Sequence, residues 1–80
     1  MNRRFSVELC SDLDYDDMVV YISCDEIPLA ILNCEKGVDH MELEMNCLPK
    51  NVHSIKFPLN DFLEVLSFAK LTLSTSQKND

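Results

Sequence analysis

This chain of 80 residues has one glycine, three prolines and no tryptophan. A single glycine excludes the glycine-rich loops that cradle phosphates. Basic residues are also scarce: seven Lys and Arg face fourteen Asp and Glu, for a formal net charge of −7. The shortage is uneven. From Glu8 to Glu44 there are eleven acids and one base, Lys36. Such a field repels nucleic acid, so direct DNA or RNA binding is not expected. It disfavours an anionic membrane surface. It speeds encounter with a basic protein, and it equally keeps a small protein soluble.

Long apolar runs are missing too. No stretch approaches the ~20 apolar residues of a membrane span. The start, "MNRRFSVELC", is basic, but Glu8 and Asp12 interrupt any leader-like run. The expectation is a cytoplasmic protein whose Cys10, Cys24, Cys34 and Cys47 are reduced thiols.

What is present reads as one small domain over 1–80, with an ordered core at about 5–73 and a flexible polar tail, "STSQKND", at 74–80. A domain this size has a stability of about 5 kcal/mol. "RFSVELC" (4–10) alternates, with Phe5, Val7 and Leu9 on one side. "MVVYISC" (18–24) is apolar on both faces, as a central strand would be. After the turn "DEIP", "LAILNCE" (29–35) forms the third strand, paired with the second as a hairpin. Gly37 marks a tight turn in "KGVD". "HMELEM" (40–45) sends Met41, Leu43 and Met45 inward and Glu42 and Glu44 outward. "VHSIKF" (52–57) is a possible fifth strand, closed by Pro58. "LNDFLEVLSFAKLTL" (59–73) is a helix with Leu59, Phe62, Leu63, Leu66, Ala69 and Leu73 as its apolar stripe and Lys70 in its last turn. Val65 and Phe68 flank the stripe, either as part of a wide buried face or as an exposed patch. The fold class is α+β: a four- or five-stranded antiparallel sheet with one C-terminal helix packed on one face. The opposite face, with Ser6, Glu8, Tyr21, Glu42 and Glu44, is left open, either as a recognition surface or as the solvated face that any such antiparallel sheet shows.

The stretch "DLDYDD" concentrates the acids. Asp12, Asp14 and Asp16 match positions 1, 3 and 5 of a calcium loop, but Asp17 stands where the glycine belongs and Ser23 where the closing Glu belongs. The four cysteines lack the close pairs of a zinc site and read as small core residues. His40 and His53 have no local catalytic motif around them. No cofactor, metal or enzymatic activity is expected. Tyr15, among the aspartates, either anchors an interface or caps the sheet edge.

Most of the chain, residues 5–73, resembles a group of small bacterial cytoplasmic proteins. The shared features are "DYDDMVV", the strand pair turning at Asp25 and Glu26, "EKGVDHMELE", and the closing "PLNDFL…A" helix. The group comprises immunity proteins of contact-dependent growth inhibition and related polymorphic toxin systems. The resemblance implies stoichiometric binding of a cognate toxin C-terminal domain, for instance a nuclease with a basic surface. The cysteines are not part of it, and it assigns no functional residues. From the residues themselves, the partner-binding candidates are Asp12, Asp14, Tyr15, Asp16 and Asp17, with Glu42 and Glu44 as a second patch. The rival reading is a small structural or adaptor subunit, for instance a homodimer through a sheet edge.

Overall fold

The computed structural model describes residues 4–13, 15–45 and 49–76. Four strands form one antiparallel sheet in sequence order: β1 (Phe5–Cys10), β2 (Val19–Cys24), β3 (Ile27–Asn33) and β4 (Glu42–Met45). One helix, α1 (Leu59–Ser76), packs on β1, β2 and β3. This is the expected α+β architecture.

The sheet follows the side-chain alternation. Val20, Ile22 and Cys24 of β2 are buried on the helix face, with Ala30 and Leu32 of β3 and Cys34 just beyond it. Between β2 and β3 the register shifts at Ile22 and Ser23, where Ile22 opposes Ala30 and Ser23 opposes Pro28. This bulge lets the sequence neighbours Leu29 and Ala30 both enter the core. It lies next to Pro28, which has no N–H for a regular ladder. Burial pushes the Cys24 and Cys34 thiols up from their ordinary pKa, so both remain protonated apolar fillers at neutral pH.

The β2–β3 turn is tighter than "DEIP". Asp25 and Glu26 alone make it, both at positive φ (52° and 69°), as a two-residue type I′ hairpin requires. Arg4 holds it from β1's side, with its Nη2 donating to Asp25 Oδ2 at 2.9 Å. That hydrogen bond raises the Arg4 pKa. Gly37, at φ 106°, starts the short 3-10 turn Val38–His40 that leads into β4.

The possible fifth strand does not form: residues 52–58 are irregular. The reason is direction. The chain leaves β4 at one sheet edge and must reach β1 at the other, so this segment crosses the strands and cannot run alongside one. Ile55 and Phe57 anchor it to the core. The Phe57 ring meets Phe5 of β1 at 5.1 Å and Phe62 of α1 at 5.0 Å between centroids.

The helix runs three residues past 73, and Ser74, Thr75 and Ser76 belong to it. Thr75 and Ser76 hydroxyls donate to the carbonyls of Thr72 and Leu73, which keeps the polar end helical. Lys70 therefore does not lie in the last turn. Residues 77–80 lie outside the described residues. The apolar stripe is also rotated from the expected one. Val65, Ala69 and Leu73 form its buried centre, while Leu59 and Leu63 are exposed. Phe62 and Leu66 are half-buried beside it, and Phe68 is largely exposed. The chain offered more apolar positions than one face of the helix could bury.

Candidate partner-binding face

The described residues of the β1–β2 connection, 11–13 and 15–18, do not project from the end of the hairpin. They fold back over the sheet face that the helix leaves open. Residues of that face stand in cross-strand rows: Glu8 opposes Tyr21, Tyr21 opposes Ile31, and Ile31 opposes Glu44. The connection lies over this row, held by polar contacts. Tyr21 Oη donates to Asp12 Oδ2, and Tyr15 Oη donates to Glu44 Oε1. Glu35, just past β3, accepts two main-chain bonds, from Asp16 N at 3.1 Å and Asp17 N at 3.0 Å. Tyr15 N closes the loop internally on the Asp12 carbonyl at 3.1 Å.

The two expected acidic patches therefore form one surface. Asp12, Tyr15, Asp16 and Asp17 from the loop meet Glu42 and Glu44 from β4, with Glu8 and Glu35 added. Asp14 lies outside the described residues, as does Cys47. The Asp16 and Asp17 side chains stay exposed, because the latch to Glu35 uses their backbone amides. Lys36 ion-pairs with Glu42 at 2.9 Å and is the base that this face carries from the acidic segment. Tyr15, Asn33, Glu35, Glu42 and Glu44 line an open depression of about 600 Å³. Asn33 is buried there, and its Oδ1 accepts from Glu35 N, which fixes the start of the turn that carries the latch. Tyr15 therefore caps the open face, with its hydroxyl on the edge strand.

The electrostatics are one-sided. Carboxylates outnumber cations across the face, and apart from Glu42 with Lys36 these polar contacts come from hydroxyl and N–H donors. The field reaches the nearby thiols. Burial pushes Cys34 up first, and the charges of Asp17 and Glu35 add to it. Burial and the Glu8 carboxylate likewise push up Cys10, whose Sγ lies 3.4 Å from Glu8 Oε1. Among the described residues no three His, Cys, Asp or Glu side chains converge as a metal site would require. No described helix is long and apolar enough to cross a membrane.

Glu35 and Leu13 were not among the sequence candidates. Nothing local marks Glu35, because its partners are about eighteen residues away in the chain. Leu13 is an apolar residue inside the acidic run, and its side chain is fully exposed. No protein-family model, curated protein or solved structure matches this chain.

Proposed function

We propose that this chain is an immunity-type binding protein that neutralises a basic toxin domain by stoichiometric protein–protein contact. The observation that carries the reading is the convergence of loop and strand carboxylates on one sheet face, with Tyr15 and Leu13 beside them. Charge complementarity of this kind accelerates association and selects the partner, while apolar and aromatic contacts slow dissociation. The resemblance of residues 5–73 to toxin-system immunity proteins points the same way. The reading requires no chemistry from the chain and sets it in the cytoplasm, where such toxins act.

The test is protection. A gene next to the one for this chain is expected to encode a large toxin. Cells expressing its C-terminal domain should survive when this chain is co-expressed. Asp16→Lys with Asp17→Lys leaves the backbone latch intact, and should slow association roughly tenfold at low salt and weaken protection. Leu13→Ser should leave association unchanged and speed dissociation. Failure of the wild-type chain to protect would sink the immunity reading. Undiminished protection by the charge-reversed chain would remove only the acidic loop from it.

A further inference from the structure

We propose that the outer edge of β4 receives an extended segment of the partner as a fifth strand, with cationic side chains on the acidic face and apolar side chains on the helix face. This rests on the reading that the partner is a basic protein. Three features meet at that edge. First, β4 has one neighbour, β3, and no described segment pairs with its other side. A free strand edge is a ready template for another chain. Second, Glu42 and Glu44 stand along this edge at the rim of the acidic depression. Third, α1 packs on β1, β2 and β3, and leaves a groove of about 310 Å³ bordered by Val38, Met41, Leu43 and Leu66, with Asp39 and Lys70 also in its lining. Leu43 borders both concavities, and it and Met45 stay 38% and 63% exposed.

Alternation selects the occupant. Successive side chains of an added strand point to opposite faces. Beside Glu42 and Glu44, cations are favoured; beside Leu43 and Met45, apolar groups that enter the groove are favoured. A wholly basic strand would push charges into the groove. A wholly apolar strand would set apolar groups against two carboxylates, which within the chain meet Lys36 and Tyr15. A second copy of this chain fits poorly. Pairing two β4 strands with acidic faces aligned sets Glu42 and Glu44 of the copies against each other. Pairing them with faces opposed sets carboxylates against Leu43 and Met45.

The probe is a capped hexapeptide alternating lysine with valine. Its control has the same composition with the lysines in one block. Both are titrated into the full chain at low salt and followed by backbone amide NMR. The alternating peptide should bind several-fold more tightly, with the largest shifts and slowed exchange at Glu42–Met45. Leu43→Lys and Glu44→Lys should each weaken it roughly tenfold. Equal binding of both peptides, with shifts confined to the 11–17 loop and Glu8, overturns edge pairing and leaves the basic-partner reading standing. No shift with either peptide at millimolar concentration also overturns edge pairing, and protection in cells then judges the partner reading alone. Concentration-dependent shifts at Glu42–Met45 without peptide overturn it in favour of a second copy.

Discussion

The two faces of this sheet are held by different physics. The helix face is dry. Val20, Ile22, Cys24, Val65, Ala69 and Leu73 are fully buried there, and their stabilisation scales with apolar area removed from water. The open face is acidic and more solvated; Val19 is buried on that side of β2, but the covering loop is tied by hydroxyl and amide donors to carboxylates. Burial is non-directional and cooperative, so the helix face should open only with the whole fold. The loop's bonds are local and solvent-accessible, so the open face should be able to rearrange while the core stays folded. A protein that must keep its shape yet fit a partner gains from that division.

The largest effect should come from the dry face. Leu73→Ala leaves a cavity in the core and should cost about 3 kcal/mol, more than half the ~5 kcal/mol expected of a domain this size. Leu63, on the same helix but 51% exposed, is the paired control. Leu63→Ala should change stability by less than about 0.5 kcal/mol. Urea unfolding of the two variants reads the difference. Similar losses would mean that the helix is seated with Leu63 inward, as the spacing of leucines alone suggests.

The next effect belongs to the wet face. Glu35→Ala removes both acceptors for the Asp16 and Asp17 amides and should cost about 1 kcal/mol, because these bonds are charge-assisted but exposed. The structural change should be local. Amide chemical shifts of Asp16 and Asp17 should move while those of Val20 and Ile22 stay nearly unchanged. Shift changes across the whole sheet would erase the distinction between the faces and make the loop part of the core's cooperative unit.

The same distinction explains what could be read from the sequence. Period-two and near-3.6 patterns report burial, so the four strands, their antiparallel sheet and the helix were legible, while the order of the strands came from the structure. The rotation of the helix was not, because Leu59, Phe62, Val65, Leu66, Phe68 and Ala69 supply two overlapping stripes and only packing against β1–β3 chooses between them. The fifth segment was misleading for a related reason. Ile55 and Phe57 alternate like strand residues, yet they are pegs on a chain crossing the sheet. Of the acidic face, the composition was legible and the assembly was not. Asp16 and Asp17 meet Glu35 through backbone amides, which no side-chain pattern encodes. Tyr15 reaches Glu44 across a distance in sequence that only the folded sheet closes.

The smallest effect has the opposite sign and touches neither face. Glu26 sits in the β2–β3 turn at φ 69°, a conformation that costs a side-chain-bearing residue about 1–2 kcal/mol and glycine almost nothing. Glycine returns part of that gain through its larger loss of conformational freedom on folding, about 0.5–1 kcal/mol. Glu26→Gly should therefore stabilise the fold by about 0.5 kcal/mol net. Core amides such as Ile22, which exchange through global unfolding, should slow a little over twofold. The Asp16 and Asp17 amides, which exchange by release from Glu35, should not slow at all. A change made outside both faces thus separates them: it raises the barrier that guards the core and leaves the latch over the acidic face as it was.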